Sequence, residues 1–174
     1  MEQDRTVRAL NTAIQMEIDG NEYYLKISHE SSNETGKKLL ASLAAEEDIH
    51  WRKFEQIYEA IRRKKAWPVT GFKPDGGRAL RTLFAQATRE VGSKVKAPQT
   101  ELAAVKTAMD MENKTYDFYT SRGQAAVAPA EKEFYQALAG QERQHHLVLL
   151  DYYEYIKDPA GWFVTKEHHS LDGG

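Results

Sequence analysis

Two glutamate–histidine pairs are the residues in this sequence best suited to chemistry. Glu47 and His50 lie in "LAAEEDIHWRKF", and Glu142 and His145 lie in "LAGQERQHHLVL". Residues three apart share one face of an α-helix, so each pair directs a carboxylate and an imidazole the same way. Such a pair can bind a transition metal. Seventeen Glu and six His in the chain would give roughly 0.6 such pairs by chance, so a single pair would be weak evidence.

The second pair is a copy of the first, because the chain repeats itself with an offset of 95 residues (142 − 47 and 145 − 50). The same offset relates two single glutamates, Glu17 and Glu112, and two tyrosines, Tyr24 and Tyr119. Each copy therefore carries one single Glu and one Glu-x-x-His. The six candidate metal ligands are Glu17, Glu47, His50, Glu112, Glu142 and His145.

Apolar residues that recur every three or four positions predict four long helices. These helices span about residues 4–30, 35–65, 98–122 and 129–157. All six candidate ligands fall on the apolar stripes that face the core. The joins within each half are short and polar, which favours antiparallel neighbours.

Residues 66–97 form a long crossover between the second and third helices. It opens with the Pro- and Gly-rich "WPVTGFKPDGG" and continues with the helical-looking "RALRTLFAQATREV". In the tail, residues 158–174, Asp158 and Pro159 predict a short fifth helix that buries Trp162 and Phe163. We expect a single all-α domain over residues 1–174, a four-helix bundle with one long crossover, as in ferritin-like folds.

Four glutamates in one core need compensating positive charge. A buried carboxylate without a partner costs several kcal/mol, and the four stripes contain no Lys or Arg. Two divalent cations would balance four carboxylates and leave the imidazoles neutral, and iron or manganese suits these ligands. In two-metal sites generally the ions lie roughly 3.5–4 Å apart. The alternative is a buried polar network without metal.

This constellation resembles the ferritin-like di-iron carboxylate proteins, and more closely their rubrerythrin-related branch. The family pattern is one Glu from each of two helices plus Glu-x-x-His from each of the other two. The stretches "AIQMEIDGNEYYLKIS" and "AMDMENKTYDFYTS" are similar to rubrerythrin-type first and third helices. The resemblance implies two iron ions, or manganese or a mixed Fe/Mn pair, with each His ligating one metal. It also implies an oxidoreductase of peroxidase or ferroxidase type that reacts with peroxide or O2, and a homodimer or other homo-oligomer.

The chain departs from the family pattern in two ways. It contains no Cys, so it lacks the rubredoxin-like domain, and electrons must come from a separate donor protein. The extra glutamate of rubrerythrins, three residues from the third-helix ligand, is also missing: Thr115 and Met109 stand at the two possible places. Two alternatives therefore stay open. One is an iron-binding or storage protein with ferroxidase activity, and the other is a metal-stabilised helical interaction module without redox activity.

Further polar residues lie near the candidate ligands. Four of them could hydrogen-bond the ligating carboxylates: Tyr24, Tyr119, Tyr116 and Asn21. Asp19 and Asp110 could each orient a histidine across the bundle. Glu46 and Gln141, which directly precede the two motif glutamates, are expected outside the core-facing seam.

Composition excludes several other classes of function. The formal net charge is −2, which gives no basic footprint for nucleic acid. No apolar run approaches membrane-spanning length, and the polar start "MEQDRTVRAL" shows no signal peptide. The absence of Cys excludes disulfides and Cys-ligated metals within this chain. We expect a cytoplasmic protein.

Overall fold

The computed structural model describes residues 2–63 and 65–171, and most of these residues are helical. The helices are α1 (Glu2–Glu30), α2 (Glu34–Arg62), α3 (Arg78–Val91), α4 (Gln99–Ala125), α5 (Pro129–Lys157) and α6 (Pro159–Leu171). No strand occurs within the two described ranges. None of the helices in those ranges is long and apolar enough to cross a membrane.

The four long helices pair as two hairpins. α1 packs along α2, α4 packs along α5, and contacts of α1 with α4 and of α2 with α5 join the hairpins. α3 belongs to the crossover and lies against α2 and α5, while α6 packs on α5. The protein is therefore the all-α, ferritin-like four-helix bundle that its sequence predicts, with a long crossover and a short C-terminal helix.

The C-terminal ends of two long helices differ from the prediction by three residues. α2 ends at Arg62, three residues before the predicted end. α4 continues to Ala125, three residues late, and passes through Gly123. A glycine inside a helix costs about 1 kcal/mol relative to alanine. Gly123 is buried where α4 packs against Tyr135 of α5.

The crossover and the tail each contain the helix that the sequence predicts. "RALRTLFAQATREV" forms α3, which buries Phe84 against α5. Asp158 caps α6, because its Oδ1 accepts a hydrogen bond from the backbone N–H three residues on (3.1 Å). Trp162 and Phe163, however, are only half-buried. The prediction that they are buried is wrong because α6 rests on the bundle along one side and leaves its other side exposed.

A layer of polar side chains crosses the middle of the bundle between two apolar clusters. One cluster contains Tyr24 and Leu149, and the other contains Leu10 and Phe54. On every long helix the candidate ligands stand between residues of the two clusters, as Glu17 does on α1. The apolar clusters therefore fix the height at which the polar residues meet.

A carboxylate far from this layer ties the two hairpins together. Glu101, in the first turn of α4, accepts hydrogen bonds from Ser31 Oγ (2.7 Å), Ser32 Oγ (2.6 Å) and Ser32 N (3.1 Å) in the α1–α2 turn. Tyr152 of α5 donates to it at 2.8 Å. Burial opposes ionisation of Glu101, but these hydrogen bonds outweigh it and lower its pKa. An ionised Glu101 therefore stabilises the junction of α1, α2, α4 and α5.

We predict that Glu101→Gln lowers the free energy of unfolding at pH 7 by about 1.5–3 kcal/mol, the range for hydrogen bonds to a charged group. Because folding lowers the pKa of Glu101, its contribution is complete above the ordinary Glu pKa of about 4.3 and is lost as the pH falls through the folded value. Urea unfolding of the wild-type protein and of E101Q, at pH 7 and at lower pH, measures the difference between their free energies of unfolding. This difference should become smaller in acid. The matched control is Glu55→Gln at an exposed position of α2. Equal stability of E101Q and E55Q at pH 7 would contradict the prediction.

Candidate metal centre

The four bundle helices bring all six candidate ligands into one layer. α1 supplies Glu17, α2 supplies Glu47 and His50, α4 supplies Glu112, and α5 supplies Glu142 and His145. None of the six is more than 3% exposed. Carboxylates are almost never buried to this extent without a compensating partner.

The six side chains form two overlapping groups of potential ligand atoms. Within each group, one nitrogen or oxygen of every member lies within 4.8 Å of the others. The groups are Glu17, Glu47, His50 and Glu142, and Glu47, Glu112, Glu142 and His145. Glu47 and Glu142 belong to both groups, so they are the two carboxylates that can be shared between two ions.

Position 1 is the end of the layer that contains Glu17 and His50. His50 Nδ1 lies 3.2 Å from Glu17 Oε2 and 3.2 Å from Glu142 Oε1. Tyr119 donates a hydrogen bond to Glu17 Oε1. The crossover residue Phe72 packs edge-on against the His50 ring, with centroids 5.7 Å apart. His50 Nε2 is buried and makes no hydrogen bond.

Position 2 is the end that contains Glu112 and His145. His145 Nδ1 lies 3.0 Å from Glu47 Oε1 and 3.4 Å from Glu112 Oε1. Tyr24 donates a hydrogen bond to Glu112 Oε1. His145 Nε2 donates to Glu46 Oε2 at 2.7 Å. Each histidine therefore turns Nδ1 toward the carboxylates, and the two positions are related by the sequence repeat.

The four predicted outer residues divide into two pairs. Tyr24 and Tyr119 reach ligand carboxylates in the opposite hairpin, and burial followed by the nearby negative charges raises the pKa of both hydroxyls well above the ordinary value. Asn21 instead donates to the backbone carbonyl of Ala44 (2.7 Å). Tyr116 packs in the apolar cluster of Leu10 and Phe54. Neither Asn21 nor Tyr116 hydrogen-bonds a candidate ligand.

Three polar residues of the centre were not anticipated. Glu46, expected outside the seam, reaches the histidine of position 2, and Gln141 Nε2 donates to Glu46 Oε2 at 2.6 Å. Thr115 Oγ1 donates to Oε2 of the shared Glu142 at 3.0 Å. The sequence feature that could have identified Glu46 is its place directly before the motif residue Glu47. Its side chain is rotated by about 100° around α2 from that of Glu47, toward the neighbouring helix.

The two aspartates that could have oriented a histidine take no part in the centre. Asp19 is exposed and accepts a hydrogen bond from Gln15 on its own helix (2.8 Å), and Asp110 is exposed on α4. The orienting carboxylate comes instead from Glu46, which belongs to a ligand-bearing helix of the opposite hairpin.

The pKa values of the layer show how strongly its negative charges oppose one another. Burial and then the neighbouring carboxylates raise the pKa of Glu47 well above its ordinary value. Burial and then Glu112 raise the pKa of Glu142 to about 7. Burial would lower the pKa of His50, but Glu17 and Glu142 outweigh it and raise that pKa. The protein alone compensates this charge with protons, which a metal cation displaces when it binds.

The donor atoms fit a pair of transition-metal ions. Four of them are buried and hydrogen-bond to no protein group: Glu47 Oε1, Glu112 Oε2, Glu142 Oε1 and His145 Nδ1. Buried polar atoms without a partner are rare in native proteins and call for an explanation such as an ion. Carboxylate oxygen and imidazole nitrogen are ligands suited to iron and manganese.

A protein-family model matches most of the chain. The model described as rubrerythrin matches residues 8–153, a range that contains all six candidate ligands. Comparisons with curated proteins and with solved structures give no match.

We predict that Glu142→Gln stabilises the metal-free protein while weakening metal binding. The amide keeps the size of the side chain and removes a carboxyl group whose ionisation burial and the neighbouring Glu112 make costly. Urea unfolding in the presence of chelator should give a gain of about 0.5–2 kcal/mol, the usual scale for relieving a functional site. Fe(II) or Mn(II) affinity should fall by at least about 10-fold. The same Glu→Gln substitution at Glu101 should destabilise the protein, so the sign of the change in unfolding free energy depends on the site. A less stable metal-free E142Q protein would contradict the charge argument.

Proposed function

The chain belongs to the rubrerythrin family, and on this premise we propose that it is a non-haem di-iron oxidoreductase that reacts with peroxide or O2. The observation that carries the proposal is the pair of overlapping, fully buried ligand groups that share Glu47 and Glu142. Two iron ions are the proposed cofactor, and manganese or a mixed Fe/Mn pair fits the same donor atoms.

Charge balance explains why two ions are needed. One divalent ion would leave two of the four carboxylates uncompensated, because the ion-pair partners of these carboxylates among the described residues are histidines. Two divalent ions balance all four glutamates, and the imidazoles then remain neutral. Glu17 and His50 would complete position 1, Glu112 and His145 would complete position 2, and Glu47 and Glu142 would bind at both.

When bound, two ferrous ions would supply the two electrons that, together with two protons, reduce hydrogen peroxide to two molecules of water. The protein's own contribution is to bind, orient and protect. The apolar clusters above and below the layer exclude bulk water from the ligands. The pKa values of the Tyr24 and Tyr119 hydroxyls are raised, so both hydroxyls keep their protons. Tyr24 therefore donates a hydrogen bond to Glu112, and Tyr119 donates one to Glu17.

The two shared carboxylates have different freedom to move. Thr115 Oγ1 holds Glu142 Oε2 at 3.0 Å. The residue related to Thr115 by the repeat is Gly20, where an added Cβ would lie 3.2 Å from Glu47 Oε2. Glycine inside a helix is costly, so its presence beside Glu47 supports a need for space there. We propose that Glu47 is the shared carboxylate that changes position during the reaction, while Glu142 stays fixed.

The source of electrons is a separate protein in this proposal. The chain has no Cys, so it cannot hold a rubredoxin-type iron centre of its own. We propose that a donor protein delivers electrons to the protein, which acts as a homodimer or other small homo-oligomer in the cytoplasm.

The proposed function predicts that protein loaded anaerobically with Fe(II) binds about two ions per chain, as two-metal sites require. Exposure to peroxide or O2 should then produce ferric absorption in the near ultraviolet. Stopped-flow spectroscopy and iron quantification measure the rate and the stoichiometry. An unchanged spectrum at full iron occupancy would favour a redox-inert interaction module.

The matched control for this experiment uses two adjacent histidines. His145→Ala should lose bound iron and the absorption change. His146→Ala should retain both, because His146 Nδ1 lies 3.4 Å from the Met109 carbonyl and the residue belongs to neither ligand group. Size-exclusion chromatography separates the proposed small oligomer from a storage protein, which would form a large hollow assembly with iron far beyond two per chain.

A further inference from the structure

The repeat makes positions 1 and 2 similar, and the differences between them are informative. The ligand types are the same at both ends, and each terminal glutamate receives a tyrosine hydrogen bond. The surroundings of the two histidines differ. We propose that position 2, with Glu112 and His145, binds its metal ion more tightly than position 1, with Glu17 and His50, and that the ion at position 1 is the exchangeable one. This inference rests on the proposed function, because it takes both positions as metal sites.

The first difference is the partner of the outer ring nitrogen. His145 Nε2 donates to Glu46 at 2.7 Å, whereas His50 Nε2 is buried without a hydrogen bond. A histidine that ligates through Nδ1 carries its proton on Nε2. Glu46 therefore holds His145 in the tautomer whose Nδ1 lone pair faces the carboxylates, and it increases the basicity of that nitrogen.

The second difference is the residue that the repeat places opposite Glu46. Position 141 is related to position 46 by the 95-residue offset and carries Gln instead of Glu. Gln141 uses its amide N–H to donate to Glu46 Oε2 (2.6 Å), and its own Oε1 makes no hydrogen bond. Gln141 thus reinforces the carboxylate of position 2 and supplies no charge to position 1.

The third difference is the covering of each ring. Phe72 from the crossover lies edge-on against His50, with ring centroids 5.7 Å apart and planes at 86°. An apolar ring cannot accept the His50 Nε2 proton as a carboxylate does. Metal binding through His50 Nδ1 therefore leaves a buried donor unpaired, which is unfavourable. Outer partners of ligating histidines typically change metal affinity by about 10–100-fold, and we expect the two positions to differ on this scale.

Titration of the metal-free protein with Co(II), followed by its visible absorption, tests the inference. The wild-type protein should bind two ions in two resolved steps whose affinities differ by about 10–100-fold. Glu46→Gln should weaken the tighter step by a similar factor and bring the two steps together. Gln141→Leu removes the amide hydrogen bond but keeps the Glu46 carboxylate, so the affinity of its tighter step should fall much less than in Glu46→Gln. Thermal unfolding of each metal-free variant reports whether it is folded.

Two repeat-related variants assign the steps to positions. Glu112→Gln should remove the tighter step, whereas Glu17→Gln should spare it and remove the weaker one. The opposite pattern, or two equal wild-type affinities, would overturn the inference while leaving the two-metal centre intact. Failure of the wild-type protein to bind Co(II) at either position would overturn the proposed function as well.

A crystal of the wild-type protein with a single equivalent of Co(II) gives an answer that needs no variant. Anomalous scattering should place the ion beside His145 Nδ1. An ion beside His50 Nδ1, or equal occupancy of both positions, would contradict the inference.

Discussion

Repulsion among four buried carboxylates is the constraint around which the rest of this protein is organised. Glu17, Glu47, Glu112 and Glu142 meet in one layer with almost no exposure to solvent. Among the described residues, the ion-pair partners of these glutamates are the histidines His50 and His145, and none is Lys or Arg. The layer must therefore hold protons or bind cations, and its nitrogen and oxygen donors suit a pair of transition-metal ions. The centre is costly to the fold by itself and becomes favourable when its charge is balanced.

The fold bears this cost by separating the polar layer from the rest of the core. Apolar clusters above and below the layer supply the burial that stabilises the bundle. The tyrosine hydroxyls of Tyr24 and Tyr119 each cross from one hairpin to a carboxylate of the other. At the far end of the bundle, Glu101 joins the hairpins through hydrogen bonds that do not depend on metal. The hairpins are thus held together both at the layer and away from it.

Helical periodicity was sufficient to predict the bundle, the crossover helix and the six residues of the layer, because all of them follow from which face of a helix a side chain occupies. The repeat added the pairing of the two halves. Which carboxylates are shared, and which outer residues touch the histidines, depends instead on how the helices cross. Glu46 and Thr115 reach ligands on another helix, and Asn21 hydrogen-bonds a backbone carbonyl. Such contacts depend on the three-dimensional packing of the helices. The sequence does show one difference between the two halves, because Glu46 in the first corresponds to Gln141 in the second.

The central claim is that two cations, and not a network of protons, complete this layer. Differential scanning calorimetry of the metal-free protein during stepwise addition of Fe(II) under anaerobic conditions tests it most directly. A ligand that binds only the folded state raises the unfolding temperature. We expect the unfolding temperature to rise steeply until two ions per chain have been added, and then only slowly with the logarithm of the free Fe(II) concentration. An unfolding temperature that does not respond to Fe(II) or Mn(II) would show that the four carboxylates are compensated without metal, and would contradict the account.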